Sequence, residues 1–300
     1  MKKTLLLAAT ALLLNNFAIA QTTTPSPEDK KKEEFDKTFR FGLRITPQPT
    51  WYSTNDKNIG PYGARFGLGF GLNMEFKLSD IVAFQTGIGG DFEGGKYTYK
   101  YDPINNYSVR YWQDNNTNEF IAPKDKGDGL ELKNTTSTGY LLKERSIKTT
   151  HVTIPLLLKL ATKEYSGLKY FGVFGLELGI RIKQLATDTY YETYKYDANG
   201  SIIATDNAPA VQSAINLKCD GSLIPMRIGL NAGIGTEYRV AGSTAIFFSI
   251  NYFRGFTNQL KNDSKYLIYN NTNTAGANTY NFIKQNIIQN AIRINIGVMF

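Results

Sequence analysis

The stretch Arg65–Leu78 limits what this chain can fold into more than any other. Its even positions, Phe66, Leu68, Phe70, Leu72, Met74, Phe76 and Leu78, are all apolar. Its odd positions, Arg65, Gly67, Gly69, Gly71, Asn73, Glu75 and Lys77, are charged, polar or glycine. Side chains alternate faces along a strand, so this segment has one greasy face and one wet one. The alternation runs unbroken for fourteen residues, whereas a strand of a soluble sandwich has about 5–6. At ~3.3 Å per residue and a tilt near ~40°, it rises roughly 35 Å, more than the ~25 Å apolar band of an outer-membrane barrel. The pattern predicts a transmembrane β-strand.

An export signal agrees with that address. Lys2 and Lys3, the leucine-rich run Leu5–Leu14 and Ala18-Ile19-Ala20 read as a signal peptide over residues 1–20, cut before Gln21. The run is too short to span a membrane as a helix, and no other stretch approaches the ~18 apolar residues needed. With Cys219 the only cysteine, an exported chain has no internal disulfide framework. The net charge of +8 becomes +6 once Lys2 and Lys3 are removed. An exported chain seldom meets nucleic acid, so the expected partners of this basic balance are acidic headgroups of outer-membrane lipid and lipopolysaccharide. Aromatics at 13% and a mean hydropathy of −0.31 suit a soluble β-protein equally well, so composition does not decide.

Residues 21–37 are polar, with a mixed charge run and no apolar period, and read as a disordered periplasmic leader. Residues 38–300 form the barrel domain. Alternating segments recur at Thr38–Ile45, Arg65–Leu78, Ile81–Glu93, His151–Leu160, Tyr170–Ile182, Met226–Val240, Ile246–Tyr252 and Ile288–Phe300. Short connections (Ser79-Asp80, Ala161–Lys169, Ala241–Ser243) alternate with long ones (Pro47–Pro61, Tyr97–Thr150, Lys183–Leu223, Gly255–Gln285). Outer-membrane barrels have short periplasmic turns and long outer loops. The expected fold is therefore all-β: an eight-stranded antiparallel transmembrane up-and-down barrel with both termini periplasmic. Trp51, Tyr52, Tyr97, Tyr99, Tyr101 and Tyr252 fall near strand ends, where an aromatic girdle belongs.

The segment His151-Val-Thr-Ile-Pro-Leu-Leu-Leu-Lys159 resembles the "IPLLLK" strand of the PorT-like outer-membrane β-barrels of Bacteroidetes, and Tyr170-Phe-Gly-Val-Phe-Gly resembles the strand that follows it. The resemblance covers roughly Phe39–Phe300, with poorly matched loops. Phe300, ending an alternating strand, matches the signal that outer-membrane assembly machinery reads. The resemblance implies a fold and a membrane address but no chemistry. One founding member serves protein secretion, and extending that role to this chain rests on fold analogy.

By parity, nine cations (Arg40, Arg44, Arg65, Lys77, Lys159, Arg181, Arg227, Arg239, Arg293) and five acids (Glu75, Asp91, Glu93, Glu177, Glu237) face inward. Eight strands leave an interior just wide enough for side chains, and a buried charge must be paired. A lumen filled by an ion network is the plain reading, and an anion path using the four surplus cations is its rival. Arg44 on the first strand and Arg293 on the last become neighbours on closure and need an acid between them, either Glu75 or Glu177. His151, the only histidine, begins its strand at the outer end and reads as a rim residue. It has no serine–acid set around it by spacing. Asp125-Lys126-Gly127-Asp128-Gly129 lacks the acidic spacing and closing Glu of a calcium loop. Gly67, Gly69 and Gly71 precede no helix, so they are room in a narrow lumen rather than a nucleotide fingerprint. Catalytic, cofactor and metal residues are assigned to none.

Beyond Gly94-Gly95 the large apolar residues (Tyr97, Tyr99, Tyr101) change parity, which predicts a β-bulge there that turns the three tyrosines outward. The functional expectation is a monomeric, non-enzymatic barrel with a structural or binding role carried by outer loops or contacts to envelope proteins. Alternatives are an accessory secretion or assembly subunit, a lipid-modifying enzyme built on His151, and a soluble carrier with its apolar faces turned inward.

Overall fold

The computed structural model describes residues 38–102, 104, 107–121, 135–206, 211–216, 224–260, 263–272 and 278–300. The signal peptide, the leader, Asp125–Gly129 and Cys219 lie outside these. The strands are β1 (Phe39–Ser53), β2 (Ile59–Gly63), β3 (Arg65–Lys77), β4 (Val82–Tyr99), β5 (Val109–Asp114), β6 (Phe120–Ile121), β7 (Ser137–Ala161) and β8 (Leu168–Tyr196). They continue with β9 (Ile202–Asp206), β10 (Val211–Asn216), β11 (Met226–Ala241), β12 (Thr244–Gly255), β13 (Asp263–Thr272), β14 (Asn278–Lys284) and β15 (Ile288–Met299). Eight of them, β1, β3, β4, β7, β8, β11, β12 and β15, hydrogen-bond in that order with every neighbour antiparallel. β15 returns to β1 and closes the ring. Each ring strand corresponds to one alternating segment of the sequence.

The outward residues of the lower ring are exposed and apolar, including Phe41, Leu43, Phe70, Ile88, Leu158, Phe174, Ile234 and Ile250. Their inward neighbours are buried and polar, including Thr46, Asn73, Asp91, Thr153, Glu177 and Asn251. That arrangement excludes the soluble carrier, whose apolar residues would fill the inside. A polar interior inside an apolar belt is the pattern of a barrel solvated by lipid.

Among the described residues, much of the long connections is itself strand. β1 runs on through Pro47 and Pro49, β7 begins fourteen residues before His151, and β8 continues fourteen beyond Ile182. β5 extends the sheet on β7, β9 and β10 pair with β8, and β13 joins β5 to β14. Above the lipid the faces exchange chemistry. Tyr97, Tyr99, Tyr111, Leu142, Ile147, Tyr190, Leu260 and Ile287 form a buried apolar core inside this head. Water now surrounds the outer face, so burying hydrocarbon inside becomes favourable.

This exchange corrects two expectations. The ladder between β4 and β7 runs without a shift through Gly94↔Lys148 and Gly95↔Ile147 to Thr98↔Glu144, so there is no bulge at the glycine pair. Tyr97 and Tyr99 point inward with Tyr52 and belong to the head's core rather than to a girdle. Tyr101 stays at the surface, stacked on Tyr191 at 4.5 Å. The strand keeps its parity, and only the chemistry of each face changes. A register shift does occur on β8, between Arg181 and Lys183 opposite His151 and Thr150. It moves the inward set from Glu177, Gly179 and Arg181 to Gln184, Ala186 and Asp188. Of the expected girdle, Trp51 and Tyr252 remain outside, their rings 6.4 Å apart.

Leu43 lies in the exposed apolar belt, paired with Leu72. Changing Leu43 to Arg should cost about 2–4 kcal/mol in a lipid vesicle, while Thr98→Arg, on the outer face of the head, should stay within about 0.5 kcal/mol. Urea titration of refolding into vesicles reads both.

Candidate functional site: a filled lumen

Three tiers of polar side chains occupy the ring, and a buried apolar cluster of Leu157, Phe171, Val173, Phe247 and Met299 packs among the lower two. At the periplasmic end, Lys159 on β7 donates to Glu75 on β3 at 2.6 Å and to Glu237 on β11. Arg40 on β1 reaches Glu237 at 3.1 Å and Glu75 at 3.4 Å. Two cations and two acids thus bind strands from both sides of the ring. Phe171 closes this tier, its centroid 4.5 Å from Lys159 Nζ.

Arg44 occupies the middle tier, 3.4 Å from both Thr46 Oγ1 and Asn295 Oδ1. A row of amides leads away from it. Asn295 donates to Ser249 and Asn251, Asn251 donates to Asn231, and Asn231 donates to Glu177, at 2.9–3.2 Å. Glycine makes the space: a Cβ on Gly69 would fall 2.2 Å from Asp91 Oδ1.

The outer tier is centred on Glu177. One of its oxygens accepts from Arg227 at 2.9 Å and the other from Arg293. Arg227 also holds Glu93, and Arg293 lies 3.8 Å from both Asp91 and Glu93. The ring of Phe253 lies beneath both guanidinium groups at 4.4 and 4.5 Å. Thr153 donates to Asp91 at 2.9 Å, and Arg293 Nε to Gln48 at 2.8 Å.

The residues singled out by parity divide accordingly. Arg293 meets Glu177 directly, Arg44 is held by amide and hydroxyl groups, and Glu75 belongs to the lower tier with Arg40 and Lys159. Three of the nine inward cations are not in the lumen network. Lys77 pairs with Asp80 at the β3–β4 turn, Arg239 pairs with Glu164 near the β7–β8 turn, and Arg65 bonds Ser146 on the outer face. Six cations therefore face five acids, and most of the surplus behind the anion-path reading disappears. His151 is not a rim residue. It is fully buried, with Nδ1 2.6 Å from Glu93 Oε1, because β7 continues well above it. Phe300 lies outside the seam between β15 and β1, donating its N–H to Phe41 O at 2.7 Å with the two rings 5.5 Å apart.

A family model for the outer membrane protein beta-barrel domain matches residues 19–261. The chain belongs to that family. It is a protein of the bacterial outer membrane, and its eight-stranded ring is the membrane-spanning part. Among solved structures, OprG from Pseudomonas aeruginosa is 12% identical, with 89% of this chain and 98% of that one covered and a TM-score of 0.37. Neisserial surface protein A gives 9%, 88%, 98% and 0.34, and Ail of Yersinia pestis gives 9%, 88%, 100% and 0.29. No curated protein matches the chain.

Replacing Glu177 with Leu leaves Arg227 and Arg293 without the acid that both hydrogen-bond, with Glu93 as the remaining acid between them. The loss should be about 3–5 kcal/mol, against about 0–1 kcal/mol for Glu164→Ala at the half-exposed turn pair. Equilibrium unfolding of the two variants in the same vesicles makes the comparison.

Proposed function

We propose that this barrel is a non-conducting, non-enzymatic, monomeric anchor whose working surface is its extracellular head. The supporting observation is that, among the described residues, side chains pack the lumen along its length, with a cavity of about 30 Å³ beside Arg44 and Lys159. The ion tiers fill the membrane section, and the apolar cluster from Tyr52 to Ile287 closes the head above them. A chain built to pass solutes would leave a water-filled interior. Catalysis through His151 is disfavoured by its setting: it is enclosed, and the carboxylate beside it is already bound by Arg227.

The head instead offers surface. Tyr62, Ile104, Ile202, Ile203 and Phe256 are exposed there, around a buried apolar core. Such residues suit contacts to another envelope protein or to an external ligand. The finer kinship with the PorT-like barrels of Bacteroidetes rests on the strand His151–Lys159 and on Phe300 as an assembly signal. A place beside a secretion machine is the narrower form of the same proposal.

Planar-bilayer recordings test the sealed lumen, and the expected trace shows no stable conductance steps. A reproducible open level from the purified monomer would replace this reading with a pore. Crosslinking in native membranes followed by copurification then separates a lone anchor from a machine subunit, which would be recovered with a larger complex.

A further inference from the structure

A cleft of about 310 Å³ opens on the outer wall of the barrel, across β3, β4, β7 and β8. It begins just above the apolar belt. Phe92 on β4 is the highest exposed apolar residue of its strand, with Phe66 on β3 and Ile180 and Ile182 on β8 nearby. One ladder step above Phe92 comes Gly94, abreast of Lys148, and one step further Lys96 is abreast of Ser146 and Thr187. Outward side chains on these rows stand about 7 Å apart along each strand.

Gly94 gives this wall its shape. With no side chain at that position, Arg65 crosses over β4, and its guanidinium donates to Ser146 Oγ at 2.9 Å. A Cβ on Gly94 would lie 3.1 Å from Arg65 Cδ. The register shift on β8 adds Lys183 to the same side, exposed and opposite Thr150. Arg65, Lys96, Lys148 and Lys183 therefore gather on one wall, and none of them is in an ion pair among the described residues. The acid of the cleft, Glu144, stands abreast of Thr189 on the row farthest from the lipid belt.

We propose that this wall binds the phosphorylated sugar headgroup of an outer-leaflet glycolipid. Its acyl chains would lie along the apolar belt beneath, over Phe66, Phe92 and Ile180. The proposal concerns the outer wall at the membrane surface and is independent of what the head binds. Three features select this ligand. Lys148 and Lys96 stand one and two ladder steps above Phe92, and Lys183 stands on Phe92's own row, so the cations span the edge of the hydrocarbon, at the height of lipid phosphates. The hydroxyls of Ser146 and Thr187 supply donors of the kind a phosphate or sugar accepts. The apolar belt continues below without a gap, so headgroup and tails bind the same strands.

The test uses the full-length protein in mixed micelles with bis-phosphorylated lipid A, lipid A stripped of both phosphates, or inorganic phosphate, with bound lipid read by native mass spectrometry. The wild-type protein should retain the phosphorylated form about tenfold better than the stripped form, and Lys96→Gln with Lys148→Gln should remove that preference. Lys96→Arg with Lys148→Arg should keep it. Equal retention of the two lipids by wild type overturns the proposal, and that comparison needs no variant. Displacement of the lipid by an equal concentration of inorganic phosphate also overturns it, because a free anion would then satisfy the wall. Unheated electrophoretic mobility identifies a misfolded Gln pair, in which case loss of the preference in the folded Arg pair overturns the proposal.

Discussion

Hydrocarbon offers no partner for a free N–H or C=O, so a sheet can stand in a membrane only when its first and last strands meet. Here that closure is imperfect in the backbone. Pairing of β1 with β15 holds from Gly42↔Met299 to Ile45↔Ile296, lapses, and resumes at Thr50↔Ala291. The lapse spans Pro47 and Pro49, residues with no N–H to give, while β1 stays paired with β3 throughout. Side chains bridge the missing stretch from the lumen: Thr46 donates to Asn295 at 2.8 Å, and Arg293 to Gln48 at 2.8 Å. A similar lapse between β4 and β7 falls at Gly87 and Ile88, near Pro155. Gly87 takes a φ of +155°, which few other residues adopt, and a side chain there would strike the Leu72 carbonyl. The polar lumen therefore completes the wall as well as filling the space.

The same solvent argument governs the vertical organisation. Around the lower ring the outside is lipid and the polar groups are within. Around the head the outside is water and the hydrocarbon is within. Arg145 and Asp188 mark how strictly the head observes this rule. Both are buried, and they are paired through two 2.7 Å bonds, with Tyr266 accepting a third from the arginine. Tyr111 also donates to Asp188, and burial, aided by that nearby carboxylate, pushes its phenol well above the ordinary range. A charge enters the apolar core only with every neighbour committed to it.

The ring was legible in the sequence because period-two alternation survives wherever one face is uniformly lipid. All eight segments could be located, and so could the inward parity of Arg44, Glu75, Glu177 and Arg293. The upward extensions were not legible, because beyond residues such as Phe92 the apolar set moves inside while the strand continues. Read as lipid-facing, Tyr97 and Tyr99 suggested a bulge the chain does not need. Nor could the pairing partners be read. Glu177 and Arg293 are 116 positions apart and meet only through the barrel's cross-section. Arg65 has inward parity but leaves the lumen, because Gly94 opens a path over the neighbouring strand.

The seam has a consequence in time. Its side-chain bridges join residues 245 to 251 positions apart, close to the largest separations the chain permits. Contacts of that span form late, since most of the polypeptide must be in place before the two ends can meet. Until β15 arrives, Arg44, Thr46 and Gln48 have no Asn295 or Arg293 to bond, and β1 presents an unpaired edge. A partly inserted barrel is thus a sheet with two reactive margins, open to any strand offered in the correct register. Pairing of β1 with β15, carried across the proline gap by Gln48 and Arg293, ends that susceptibility.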